Sequence, residues 1–193
     1  MIRALRTSFP LFLFVTPLIC GAQIKYEREY DLRSHQVPQR ARSFVDSCCA
    51  GSRVKWYGEE SLTGKSVEAK LKYRGSVYSI EFDTSGKNQD VEKTISLNTI
   101  VSSVRQKIIH QLDSVFSKYV IEKIQVQWIG SNEMLFQMIQ KNATVLPLTL
   151  NYEIVVKGRK ANSISRYELL FDRNGVAVRV SKIVQRNTDN LDY

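Results

Sequence analysis

The chain is poor in the residues from which compact catalytic and metal sites are usually built. Of its 193 residues, three are cysteine and two are histidine. Cys20 falls in an N-terminal leader, and Cys48 and Cys49 are adjacent. Neighbouring cysteines rarely bond each other, because the ring is strained and the side chains diverge. A scaffold of separated disulfides is therefore excluded. His35 lies in a polar stretch and His110 beside a helical apolar stripe, neither within a nucleophile, metal or general-base motif. No glycine-rich loop follows a strand and opens a helix, which removes the usual phosphate cradle. Glu59 and Glu60 read as solvated acids before the Thr63-Gly64 turn. The sequence thus leads to no catalytic residue, no metal and no cofactor.

Long apolar runs are missing as well, except near the N-terminus. There Arg3 and Arg6 precede an apolar core over residues 9–19, broken by Pro10, Thr16 and Pro17. Small residues at Cys20-Gly21-Ala22 complete a secretory signal over 1–22, cleaved near Ala22 to leave Gln23 first. The core is too short to span a bilayer. Acylation of Cys20 is the weaker alternative, since bulky Ile19 precedes it. The expected location is the periplasm or the exterior, and the remainder is not membrane-spanning. The whole chain carries +9; without Arg3 and Arg6, 26 basic residues face 19 acidic ones, a net of +7. That bias favours acidic partners or anionic surfaces. It is too small for a nucleic-acid tail, and no nucleic-acid motif accompanies it.

What the chain does contain is one phrase written twice. YSIEFDTSG (78–86) and YELLFDRNG (167–175) lie 89 residues apart and share Tyr, Phe, Asp and Gly at matching places. Each alternates apolar and polar residues, as a half-buried strand does, then stops at a turn signal. Upstream of the first copy, Val37, Ala41, Phe44, Val45 and Cys48 have helical spacing, with Pro38 in the first turn and Gly51 as a stop. Upstream of the second, Ile100, Val101, Val104, Ile108, Leu112, Val115 and Tyr119 form a longer stripe capped by Asn98. Four strand-like stretches follow each helix, with Arg74-Gly75 and Lys157-Gly158 as corresponding links and Trp56 and Trp128 as corresponding core anchors.

The expected fold is α+β: a tandem duplication of a helix packed on a four-stranded antiparallel sheet. The repeats cover 23–96 and 97–187, with a polar tail over 188–193. The second repeat carries an insertion over 131–147, where Met134, Leu135, Met138 and Ile139 suit a short amphipathic helix. That helix either seals the junction between the copies or protrudes as a methionine-rich contact element.

The helix and four strands in tandem, with Phe82-Asp83-Thr84-Ser85-Gly86 and Phe171-Asp172-Arg173-Asn174-Gly175 at the third hairpin, resemble the PepSY-like family over roughly 37–186. That family is also called β-lactamase-inhibitor-protein-like. The resemblance implies an exported bacterial binding module of inhibitor-like kind. It does not extend to β-lactamase inhibition, because the long insertion here lies in the second repeat.

Two surfaces are candidates for partner binding. If Val67, Ala69, Leu71 and Tyr73 face the helix, Lys70, Lys72 and Arg74 face an open side of the sheet. Arg53, Lys55 and Tyr57 join them, with Lys123, Gln125, Gln127, Glu153 and Arg179 in the second copy. The partner-binding residues are thus Tyr57, Lys70, Lys72 and Arg74, with Met134, Leu135 and Met138 from the insertion. The expected function is an exported, non-enzymatic module engaging a protein partner. The alternative is an anionic envelope component, a glycan or lipid headgroup, held by the basic face. The Asp83 and Asp172 turns are explained by turn chemistry, since neither has the oxygen density of a calcium loop.

Overall fold

A computed structural model describes residues 23–62, 64–141 and 147–185. The leader over 1–22, Thr63, part of the insertion (142–146) and the tail from 186 lie outside the described residues.

The segment ahead of His35, to which the sequence assigned no element, forms a strand, β1 (Gln23–Leu32), followed by α1 (Gln39–Cys48). Four strands come next: β2 (Val54–Glu60), β3 (Lys65–Tyr73), β4 (Ser76–Asp83) and β5 (Asn88–Thr94). Helix α2 (Ser102–Val115) leads into β6 (Lys118–Ile129), and α3 (Asn132–Lys141) into β7 (Thr149–Lys160). The chain then returns through β8 (Ser163–Asp172) and β9 (Ala177–Gln185). Tyr119, counted above with the α2 stripe, belongs to β6, and Asn98 sits in a short 3-10 turn before the helix.

The nine strands among the described residues form one sheet that closes into a barrel. This corrects the expected fold class. The two four-stranded groups are not separate sheets with an open face each. β5 pairs with β6 through Val91–Trp128 and its neighbours, joining the groups edge to edge. β1 supplies the closure: Gln23–Glu27 runs parallel to Ser181–Gln185 of β9, and Arg28–Leu32 runs antiparallel to β2. Closure pairs the backbone donors and acceptors that open sheet edges would leave exposed.

Side-chain alternation divides the residues between two environments. On the outer wall, Val67, Ala69 and Leu71 of β3 and Tyr78, Ile80 and Phe82 of β4 pack against Ala41, Phe44, Val45 and Cys48 of α1. Leu135, Met138 and Ile139 of α3 join the same cluster. A second cluster sets Ile108 and Leu112 of α2 against Ile124, Ile154, Val156, Tyr167, Leu169 and Phe171. Each fully buried Val, Leu, Ile, Phe or Met among them contributes about 1.5–3 kcal/mol. The helices therefore lie outside the barrel because its apolar face points outward.

Turn chemistry fixes the hairpins. Arg74 and Gly75 both have positive φ, 46° and 79°, which closes the two-residue β3–β4 turn. Lys157-Gly158 is not the matching link. β7 runs on to Lys160, and Gly158 pairs with Ser165 inside the ladder, covered by the Phe116 ring. In the repeated phrase, Asp83 Oδ1 accepts hydrogen bonds from Ser85 N and Lys87 N, each at 2.9 Å. Asp172 Oδ1 accepts them from Asn174 N at 2.9 Å and Val176 N at 2.8 Å.

The glycine ending each phrase does more than turn the chain. Gly86 (φ +80°) brings its hairpin against the first turn of α1, where an added Cβ would lie 2.9 Å from Ala41 N. Gly175 (φ +79°) does the same beside α2, 2.9 Å from the Val104 carbonyl. Gly75 has a similar φ but open space around it. Gly86→Ala and Gly175→Ala should each cost at least about 2 kcal/mol, combining left-handed strain with a backbone clash. Gly75→Ala should cost about 1 kcal/mol, the conformational part alone. Denaturant unfolding of the three variants checks this, and equal losses would show that the helix contacts contribute nothing.

Candidate ligand site in the barrel lumen

The residues that alternate with the apolar outer wall point into the barrel. They line a cavity of about 710 Å³ reached by all nine strands, among them Ser66, Glu68 and Lys70 of β3 and Glu81 of β4. The face read as open and basic is therefore an interior surface. Its charge is also opposite to the expected one. Nine carboxylate and five basic side chains line it, in a chain whose formal net charge is +9. A glycan or lipid headgroup of negative charge would meet a carboxylate-rich wall.

Strand register arranges these groups in rows. Glu68 stands beside Glu81, and Glu81 beside Asp90, so three carboxylates sit side by side across β3, β4 and β5. Cross-strand neighbours are about 5 Å apart, and like charges placed so are destabilising. The next row runs Lys70, Ser79, Glu92, Gln127 and Asn151. Hydrogen bonds tie the rows together. Ser79 Oγ donates to Glu68 Oε1, Gln127 Nε2 donates to Asp90 Oδ2 at 2.9 Å, and Asn151 Nδ2 donates to Gln127 Oε1 at 3.0 Å.

Cations occupy part of the lumen. Lys70 Nζ lies 2.7 Å from Glu29 Oε2, 3.0 Å from Glu68 Oε2 and 4.6 Å from the centre of the Tyr57 ring. Lys25 and Arg179 both reach Glu168, and Lys123 lies 3.8 Å from Glu153. Glu29, Glu59 and Glu68 bring carboxylate oxygens within 4.8 Å of one another, yet the Lys70 ammonium already bridges two of them. Burial works against the charged form of Lys70, but Glu68 and Glu29 outweigh it and raise its pKa.

Deeper in, protonation is shifted the other way. Burial, reinforced by Glu81, pushes Asp90 well above the usual carboxylate range. Burial and Glu153 do the same to Glu92. Glu81 and Glu153 are raised mainly by burial as well.

The other expected site residues fall elsewhere. Lys72 is exposed near the end of β3, and Lys55 is exposed on β2. Arg74 leaves the sheet at the hairpin turn, where its guanidinium donates to the Gln140 carbonyl in the last turn of α3. A cation there complements the negative end of the helix dipole. Leu135 and Met138 are buried in the core and Met134 is half-buried against it, so α3 turns the methionines inward. Beside this apolar packing, Gln140 ties α3 to α1 by a hydrogen bond, its Nε2 donating to the Cys48 carbonyl at 2.6 Å. Cys48 and Cys49 are free thiols, both buried, with sulfurs 3.5 Å apart.

Sequence reasoning missed Glu68, Glu81, Asp90, Glu92 and Glu168 as members of one site. The signal was present strand by strand, since each occupies a polar position of its alternation. Among the described residues, no helix is long and apolar enough to cross a membrane.

No family model matches the chain, and no curated protein does. Solved structures similar to it include a BLIP-like protein from Bacteroides fragilis, 15% identical, covering 79% of this chain and 90% of that one at a TM-score of 0.47. A DUF2874 family protein from Bacteroides ovatus is 12% identical, covering 76% and 87% at 0.47. A Bacteroides eggerthii protein, provisionally described as periplasmic, is 15% identical, covering 76% and 88% at 0.45. At these values the functional reading rests on the lumen itself.

The sign of the pH dependence follows from the raised carboxyls. Their folded pKa values lie above the unfolded ones, so the native state holds protons that the unfolded chain releases. Their contribution to stability is complete below the ordinary carboxylate range and is lost as pH rises through the folded values. Asp90→Asn and Glu92→Gln should therefore raise Tm at pH 8 by a few degrees, at roughly 2–4 °C per kcal/mol, and change it little at pH 4. Thermal melts at the two pH values test this. A lower Tm for both variants at pH 8 would reverse the assignment.

Proposed function

We propose that this protein is a non-enzymatic binding module, exported from the cytoplasm, that takes part of a protein partner into the barrel lumen. The observation that carries this is the cavity: about 710 Å³, polar, and enclosed by a sheet whose outer face is occupied by helices. Closure of the sheet makes the lumen a concave surface, and concave pockets with convergent polar groups are where ligands are held. The lining supports binding over thiol or imidazole chemistry. It carries no cysteine or histidine, and His35 and His110 are both exposed outside it. The leader over 1–22 supports export. The inhibitor-like resemblance of the tandem phrase is consistent with a protein partner, though not with an open sheet face as the contact surface.

The test is to block the lumen without touching the outer wall. Ser66 and Asn151 line the cavity and are half-buried, so tryptophan can project from either into the lumen. Ser66→Trp and Asn151→Trp should keep their circular dichroism and a cooperative melt, with Tm lowered by the lost lumen hydrogen bonds. They should lose a partner that the unaltered protein retains from an extract of its own cells. Lys72→Glu, outside the cavity lining, should retain that partner. Retention by both folded tryptophan variants would place the contact elsewhere.

A further inference from the structure

We infer that the lumen is a receptor for an alkylammonium group, carried by a linear polyamine or by a lysine side chain of a partner. This rests on the lumen being the ligand site and names the chemistry that enters it.

Four observations converge. First, the Glu68–Glu81–Asp90 row sets acidic groups side by side, with Glu92 in the row beside it. In the deep part, Asp90 takes its hydrogen bond from the neutral Gln127 amide, whereas Glu92 is bonded to a second carboxyl group, Glu153, which has Lys123 3.8 Å away. A cation entering there would replace like-charge contact with attraction. Second, Gln125 lies on β6 between Lys123 and Gln127, two residues from each, and so shares their lumen face. It is 3% exposed, and its side-chain oxygen has no hydrogen-bond donor. A buried acceptor without a donor calls for an incoming N–H group. Third, Ile24, Leu62 and Ile129 line the cavity yet are 62%, 74% and 40% exposed, providing apolar contact for a methylene chain. Fourth, the volume suits a small ligand or an extended side chain rather than a folded segment.

An ammonium group has three donors and no acceptor, which matches a wall of carboxylates and amide oxygens. The lysines already present show the mode. Lys25 on Glu168 and Lys70 between Glu29 and Glu68 are alkylammonium groups held by lumen carboxylates. An aliphatic ammonium from outside would extend this pattern to Asp90, Glu92 and Gln125. Because binding would displace protons from raised carboxyls, affinity should increase from pH 5 to pH 8.

Isothermal titration of the exported chain provides the test, with spermidine, a lysine-containing peptide and the same peptide N-acetylated on its lysines. Saturable binding of spermidine or the unmodified peptide is expected, with none for the acetylated form. Binding of spermidine alone assigns the site to free polyamines, and binding of the peptide alone to a partner's lysine. The Asp90→Asn/Glu92→Gln variant should lose roughly tenfold in affinity, as expected for removing charged hydrogen-bond partners. Lys72→Glu should bind as the unaltered chain does. Absence of binding by both amines, or unchanged affinity in the double variant, would overturn the inference. If the tryptophan variants nonetheless lose a partner, the lumen remains the binding site and only its ligand chemistry is refuted.

Discussion

Pairing of Gln23–Glu27 with Ser181–Gln185 closes the sheet, and the roles of its two faces depend on that pairing. A sheet with free edges has two outer faces of equal standing. Once closed, one face becomes a wall and the other a lumen. The residues chosen here invert the arrangement of many small barrels, whose interior is packed with apolar side chains. The apolar residues of each strand face out, so α1, α2 and α3 must cover them, and the polar residues are gathered inward. Closure, helix placement and lumen chemistry are consequences of one alternation phase shared by successive strands.

That phase was legible in the sequence. Val67, Ala69 and Leu71 on one side and Lys70 on the other were assigned to the faces they occupy, as were Lys123, Gln127 and Glu153. The helices were legible from Ala41, Phe44, Val45 and Cys48, and from Ile108 and Leu112, because local spacing determines an amphipathic stripe. The insertion's helix was readable too, but not its direction. Burial of Leu135 and Met138 depends on where α1 and β4 stand.

Closure was not legible, because it depends on contacts between the two ends of the described chain. In β1, Lys25, Glu27, Arg28 and Glu29 dilute the alternation of Ile24, Tyr26, Tyr30 and Leu32. A strand that closes the sheet on one 158 residues further along leaves no local signature of that partner. The charge of the lumen was hidden for a related reason. Lys70 and Lys72 of β3, with Arg74 just beyond it, dominate that stretch when it is read alone, whereas Glu81, Asp90 and Glu92 belong to neighbouring strands. Register brings those acids beside Glu68, while Arg74 leaves the face at the turn for the end of α3.

The distribution of charge then separates a solvated interior from a built one. A lumen serving only to keep the barrel hydrated could be lined with serine, threonine and amides, which hydrogen-bond water without mutual repulsion. Instead, nine of the chain's 19 acidic residues line this one cavity, although basic residues exceed acidic ones in the sequence as a whole. Several of them are buried enough for their protonation to be perturbed, with stability lost at neutral pH. Local choices that oppose stability are retained where a function uses them. The nearby turns show the contrast. Asp83 and Asp172 are acidic as well, but each has its oxygen saturated by backbone N–H groups within its own turn, so structure alone accounts for them. In the row from Glu68 to Asp90, Ser79 and Lys70 hold Glu68 and Gln127 holds Asp90, yet the acids still stand side by side, a repulsion that the inferred cationic ligand would relieve.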